Sequence, residues 1–238
     1  MQLDVYERQW RVNENHWWFK SRRKIFYYLL NNYLYLSKKN NINILDYGCG
    51  VGSNISALLK LSKNIFVYDI NCKIQSKVEK KFKLRKFSEK NKYKIILLTD
   101  VLEHVGKPKI IIKDIDFKLK KNGYLLITVP ALKFLFSSKD KALKHYKRYN
   151  KKELKNLIPQ NYKIIKYSYY NFFLSIPIII TIIYYKLFNI KFINKVESIP
   201  SKPVNYLMCK IFTLEKFFLK FMNFPFGISL LLILKKNH

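Results

Sequence analysis

One short run of the chain combines an acid with three glycines: Asp46-Tyr47-Gly48-Cys49-Gly50-Val51-Gly52. Glycine lets the backbone turn where other residues clash, and lets it approach a ligand with no Cβ in the way. A pyrophosphate-binding fingerprint needs a further glycine three positions after Gly50, and Ser53 stands there instead. Asp46 also sets a negative charge just ahead of the first glycine. That charge would repel a diphosphate and would welcome the ammonium group of an amino-acid-like ligand. A second acid, Asp69, follows Gly52 by 17 residues. A carboxylate there can accept both hydroxyls of a ribose. The alternative is a surface acid at a strand end.

Proton transfer points to histidine, which titrates near neutrality. The chain has His16, His104, His145 and the terminal His238, which is set aside. His104 lies in DVLEHV and His145 in the loop after TVPA. Both loops belong at the carboxyl ends of strands, where open α/β sheets bind ligands. Either histidine is a candidate general base, and either could be a structural loop histidine. Glu103, beside His104, could orient it or could point elsewhere. Arg148 and Tyr149 are candidate phosphate or sugar contacts, or else a helix-start cluster capped by Asn150. His16, Trp17, Trp18 and Phe19 either cover cofactor and substrate or pack as core. Arg22 and Arg23 are surface or phosphate-facing. No metal site is expected: no two histidines have ligand spacing, and Cys49, Cys72 and Cys209 are scattered. The odd cysteine count suits a reduced, cytoplasmic protein.

The elements that must position these residues alternate. Apolar runs at 42–47, 64–70, 94–99, 123–130 and 162–170 read as strands, with a very clear strand at 226–236. Helical patterns lie at 20–36, 53–61, 108–121 and 151–158, and 37–43 breaks the first. The Lys-rich stretch 72–92 carries no clear pattern. Such alternation argues for a mostly parallel sheet covered on both faces, with the late strands adding an antiparallel edge.

This combination resembles the class I S-adenosylmethionine-dependent methyltransferases. The resemblance rests on ILDYGCGVGSN at 44–54, Asp69, LLTDVLEHV at 97–105 and TVPA at 128–131, and covers about 40–170 and the final strand. It implies a Rossmann-like α/β fold with a mostly parallel seven-stranded sheet and an antiparallel C-terminal strand. An N-terminal helix and a hydrophobic helical insertion before the last strand complete the expectation. It also implies S-adenosyl-L-methionine as cofactor. Gly48, Cys49, Gly50 and Gly52 would frame its methionine and ribose, Asp46 would lie near its ammonium group, and Asp69 with Ile70 would hold the ribose. Asp100, Val101 and Leu102 would line the loop beside the methyl donor. The acidic residue usual near the adenine is missing, and only Ser88 or Glu89 is available for it. HWWFKSRRK at 16–24, SSKDKALKHYKRYNKKEL at 137–154 and FPFGISLLLILKK are similar to a bacterial subgroup associated with surface-polysaccharide or lipid-linked sugar pathways.

The 238 residues suit one domain, with an aromatic N-terminal segment and helix at 1–36 and an insertion at 171–224. Met1 to Phe19 has acids and Trp and no apolar core of a signal peptide. Forty-six Lys and Arg oppose fifteen Asp and Glu, a net charge of +31. Such a surface attracts phosphate, whether of lipid or of nucleic acid. From Tyr167 to Tyr185 the chain carries no charge. After the preceding strand is subtracted, the remainder is short for a bilayer span and suits an interfacial helix. An amphipathic helix is expected over 204–223. The reading is a methyltransferase of a small-molecule, saccharide or lipid-linked acceptor, probing an anionic membrane surface peripherally from the cytoplasm. The alternatives are methylation of RNA and a non-catalytic cofactor-binding accessory protein.

Overall fold

The computed structural model describes residues 3–33, 41–188 and 198–237. Six strands are present among them: β1 (Ile44–Tyr47), β2 (Ile65–Tyr68), β3 (Tyr93–Thr99), β4 (Leu119–Pro130), β5 (Tyr162–Tyr170) and β6 (Ser229–Lys236). They form one sheet in the order β2-β1-β3-β4-β6-β5. The first three pairings are parallel, and β6 runs antiparallel to both β4 and β5. This is the expected Rossmann-like arrangement.

The strands read as continuous apolar runs because both faces of the sheet are covered. Successive residues feed alternate cores. Ile44, Ile95, Leu97, Leu126, Leu231 and Ile233 pack with Ile25 and Leu29 of α2 (Trp17–Tyr33) and Phe212 and Leu219 of α9 (Lys202–Phe221). Leu45, Ile96, Leu98, Leu125, Ile127 and Leu232 pack on the other face with Ile112 and Ile115 of α5 (Pro108–Lys118) and Leu154 of α7 (Lys151–Lys155). The remaining helices are α1 (Leu3–Val12), α3 (Ile55–Leu58), α4 (Cys72–Phe82), α6 (Ser138–Ala142) and α8 (Ser175–Leu187).

The structure departs from the sequence expectation in four places. The sheet has six strands among the described residues, not seven. The stretch 84–92 after α4 is irregular, because its Lys and Arg leave only Leu84 and Phe87 to pack, too few for an edge strand. The helix expected over 108–121 stops at Lys118, where Leu119 turns extended and opens β4. The N-terminal region holds two helices, α1 and α2. Residues 34–36 of the expected helix lie outside the described residues. Within the insertion, α9 is only partly a surface element: Cys209, Phe212, Glu215 and Leu219 are buried, in part against α2.

Candidate functional site

The loops after β1, β2, β3 and β4 meet at one edge of the sheet. Gly48, Gly50 and Gly52 all take left-handed φ values of +75°, +52° and +76°. A Cβ on Gly48 would stand 2.4 Å from Val101 Cγ2, so glycine there serves both the turn and the close approach of the β3 loop. The Gly50 N–H donates to Asp69 Oδ2 at 2.9 Å. Asp69 Oδ1 accepts from the Asn71 N–H at 3.0 Å and the Tyr6 hydroxyl at 3.2 Å. Tyr6 is carried by α1 and packs with Val51 and Ile74, so α1 lies over the glycine turn. Burial and the Asp69 charge push the Tyr6 phenol far above its ordinary pKa, which keeps it a donor.

Asp46 is fully buried behind the turn. Both its oxygens accept from Asn54 Nδ2, at 3.1 and 3.2 Å, and the same nitrogen reaches Thr99 Oγ1 at 3.0 Å. Burial raises the Asp46 carboxyl to about 7 against the opposing Asn54 bond. Asn54 and Thr99 reach the cavity beside the turn, whereas Asp46 stands one layer behind them.

That cavity is a chamber of about 590 Å³, large enough for a small-molecule ligand. Gly48, Cys49 and Gly50 form one wall, and Trp18, Arg22 and His16 of the N-terminal region form another. Asp100 projects between them from the end of β3 with φ +55°, a strained conformation for a non-glycine residue. Its Oδ2 pairs with Arg22 Nη1 at 2.6 Å, and its Oδ1 accepts from Thr128 Oγ1 at 3.0 Å. Arg22, read from the sequence as surface or phosphate-facing, is instead a buried partner of the β3 acid, beneath the Trp18 ring at 5.4 Å.

The far wall belongs to the segment after β4. His145 Nδ1 lies 2.9 Å from Asp140 Oδ1. Arg148 grips the same carboxylate through Nε and Nη2, both at 3.0 Å, and gives Nη1 to the Ala131 carbonyl at 3.1 Å. Burial alone would raise the Asp140 carboxyl, but His145 and Arg148 hold it well below the usual range. An ionised Asp140 fixes the His145 tautomer with its proton on Nδ1 and leaves Nε2 as the basic nitrogen. Asp140 is thus the acid that orients His145, whereas Glu103 Oε2 and His104 Nδ1 are both without a hydrogen-bond partner, so the expected orientation of His104 by Glu103 is not seen. Asp140 carried a sequence signal: Ser137 and Asp140 have capping-box spacing, and the box is formed. The Arg148 fork, expected to face phosphate or sugar, is engaged by Asp140 on the chamber wall.

His104 also faces the chamber, its ring 4.7 Å from that of His145 in an edge-on arrangement. Burial, then the neighbouring His145, lowers its pKa to about 4. Glu103 is 1% exposed, and its Oε2 has no hydrogen-bond partner; His104 Nδ1 has none either. Ligand atoms of Glu103, His104 and His145 lie within 4.8 Å of one another. Nothing local in the sequence marks this cluster, because β4 and its loop bring His145 to His104 from far along the chain.

The other expected site residues divide between the chamber and the rest of the fold. Tyr149 is in the core, its hydroxyl on the Leu102 carbonyl at 3.0 Å, and Leu102 is fully buried, so neither side chain lines the chamber. Asn150 caps α7 as the structural alternative required. Ile70 is 85% exposed. Glu89 pairs with Lys118 outside the chamber. His16 and Trp17 line the chamber; His16 Nδ1 accepts from the Trp18 N–H at 3.2 Å, and burial lowers its pKa to about 4. Phe19 also lines it. His238 lies outside the described residues. Asn171 carried no sequence signal as a site residue. It is fully buried on the chamber wall, with neither side-chain atom hydrogen-bonded.

The sequence matches the model of a family described as a methyltransferase domain, over residues 21–162. No curated protein matches it. Among solved structures, the plantazolicin methyltransferase BpumL, in complex with S-adenosylhomocysteine, is similar with a TM-score of 0.57 at 15% identity, covering 99% of this chain and 90% of that one. The N-methyltransferase NodS from Bradyrhizobium japonicum WM9, also with S-adenosyl-L-homocysteine, has a TM-score of 0.51 at 16% identity, covering 69% of this chain and 87% of that one. At these identities the likeness is one of fold.

Proposed function

The chain belongs to the methyltransferase-domain family, and from that premise we propose that it methylates a small-molecule acceptor, at oxygen, with S-adenosylmethionine as donor. The observation that carries this reading is the left-handed glycine turn, backed by Asp69 on the Gly50 N–H and opening beside Asp100 onto the chamber that His145 faces. The residues fit the donor. The turn leaves backbone room that a Cβ would fill, Asp69 presents a carboxylate to ribose hydroxyls in exchange for the Tyr6 hydroxyl, and Asp100 offers charge to a cationic group. S-adenosylmethionine supplies an electrophilic methyl group on a sulfonium that already carries its leaving group. The protein's share is alignment and proton removal. Trp18 and Arg22 close the chamber from one side. The Asp140–His145 pair stands opposite, with Nε2 free to take the proton of an acceptor hydroxyl.

The acceptor we propose is saccharide or lipid-linked and is met at an anionic membrane surface. Two helices beside the chamber support this. On α8, Ile176, Ile180 and Leu187 are exposed, and on α9 so are Tyr206, Leu207 and Phe221. Lys202, Lys210, Lys216 and Lys220 are interspersed on α9. Exposed apolar side chains among cations suit shallow insertion among anionic headgroups. Among the described residues no helix is long and apolar enough to cross a membrane.

Calorimetry with S-adenosylhomocysteine tests the donor site: one-to-one binding is expected, and Asp69→Ala should abolish it. A folded protein that binds none would defeat the reading. Flotation with phosphatidylglycerol vesicles, but not with phosphatidylcholine, is expected. Binding to RNA in preference to both would move the acceptor to nucleic acid.

A further inference from the structure

We infer that Glu103, His104 and His145 form a binding site for one divalent transition-metal ion of the zinc type, set in the chamber wall.

Three independent features of the cluster point to a cation. The first is proximity: one ligand atom from each residue lies within 4.8 Å of the others. Bonds of about 2.0–2.2 Å in a tetrahedral site put ligand atoms roughly 3.4 Å apart. Loading therefore asks for closure of at most about 1.4 Å, within the reach of side-chain rotation.

The second feature is unmet valence. Buried polar atoms are ordinarily hydrogen-bonded, and an unpaired buried carboxylate oxygen is costly. Glu103 Oε2 and His104 Nδ1 are both buried and unpartnered. The neighbouring acids are satisfied: Asp100 has Arg22, and Asp140 has Arg148 and His145. Among the described residues Glu103 is the one chamber carboxylate with no ion pair. A bound cation would satisfy both orphaned atoms at once.

The third feature is support behind the ligands. Asp140 holds His145 Nδ1, which leaves Nε2 for coordination, in the carboxylate–histidine–metal arrangement that fixes ring orientation at metal centres. A backbone hydrogen bond to Lys144 steadies His104. Two imidazoles and one carboxylate suit zinc, cobalt or nickel better than magnesium or calcium, which prefer all-oxygen sets. Three protein ligands leave a fourth position open, and all three line the chamber. A water or acceptor hydroxyl placed there would be acidified. That use rests on the function proposed above, and in the loaded protein it would relieve His145 Nε2 of the role of base. Metal binding itself does not depend on it.

The test uses untagged full-length protein stripped with a chelator. Co2+ is titrated in and followed by visible absorption, Zn2+ uptake is measured by equilibrium dialysis, and S-adenosylhomocysteine binding is measured on the same samples. One equivalent of Co2+ with intense four-coordinate d–d bands is expected. His104→Ala and Glu103→Gln should each weaken uptake by at least about tenfold with S-adenosylhomocysteine binding retained. If either variant fails to fold, His145→Ala gives the same reading from the outer loop. No uptake by wild-type protein that binds S-adenosylhomocysteine, or uptake unchanged in all folded variants, overturns the site. Metal uptake without S-adenosylhomocysteine binding would keep the site and defeat the methyltransferase reading instead.

Discussion

The glycine turn and the chamber wall facing it are built on different principles. The turn draws on one short run of chain, and its shape is set by backbone conformation: three left-handed glycines and the loop after β3 pressed against the first of them. The wall draws on α2, the end of β3, the segment 137–148, the start of the insertion and α9. Its shape is set by buried polar pairs that join residues far apart in sequence, such as Arg22 with Asp100 and Glu215 with the backbone of Asn171. One region is specified by spacing and the other by folding. Substitutions in the two should therefore fail differently, the turn through ligand binding and the wall through stability and acceptor handling.

The largest effect is expected in the wall. Asp140→Ala strands the Arg148 guanidinium, which is 6% exposed, without its partner. Removing one member of a buried ion pair costs about 3–5 kcal/mol. Denaturant unfolding should show that loss, while S-adenosylhomocysteine affinity of the folded fraction changes only a few-fold. Turnover should fall by about a hundredfold or more as His145 loses its orienting acid. A large loss of cofactor affinity would show that the two regions are not separable.

Gly48→Ala is the counterpart in the turn. A methyl group would meet Val101 at 2.4 Å on a backbone with φ +75°. The left-handed conformation costs an L-residue roughly 1–2 kcal/mol, and overpacking adds about 1–3 kcal/mol. S-adenosylhomocysteine affinity should drop by about a hundredfold, read by calorimetry. Adding Val101→Ala should recover part of the loss, the steric part, and leave the conformational part. Full recovery would mean that the turn does not need glycine's backbone freedom.

The same division explains what the sequence revealed. The strands β1 and β3 and the glycine turn between β1 and α3 were legible, because each follows from residues close together in the chain. The pairing of Arg22 with Asp100 was not, since nothing local distinguishes Arg22 from Arg23, whose guanidinium turns instead to Glu14 and the Asn13 carbonyl. His104 and His145 were each placed on ligand-side loops, yet their contact depends on how the β4 loop folds back. Tyr149 shows the converse: an aromatic in a site-like segment that the fold turns into the core. The stretch 72–92 carried no clear pattern for a local reason: beyond α4, only Leu84 and Phe87 of 84–92 are apolar enough to pack.

Glu215 offers a pH-dependent comparison within the wall. Burial raises its carboxyl to about 7, although the Asn171 and Phe173 N–H groups, at 2.7 and 3.0 Å, oppose the rise. The folded state thus binds the proton more tightly than the unfolded chain does, with its ordinary value of 4.5. The resulting stabilisation is fully present below about pH 4.5 and is lost as pH rises through about 7. Glu215→Gln should lower stability by about 1–3 kcal/mol at acid pH, because one backbone donor loses its acceptor. It should also flatten the decline, so that the two unfolding curves converge between pH 5 and 8. Parallel curves across that range would place the titration elsewhere.

Asn171 sets the sharpest limit on the comparison, because it belongs to the wall but contributes nothing visible to holding it. Its side-chain amide is buried on the chamber surface without a partner, while its backbone N–H is held by Glu215. At φ +56° a glycine fits as well as asparagine, so Asn171→Gly removes the amide without straining the turn. Losing an unpaired buried amide offsets glycine's added freedom in the unfolded chain, and the melting temperature should stay level or rise. S-adenosylhomocysteine affinity should be unchanged. The acceptor KM should rise by about tenfold, the worth of a hydrogen bond made only when the acceptor is present. If stability falls and KM does not move, the amide is a structural part of the wall, and acceptor recognition must lie with Trp18, His104 and His145.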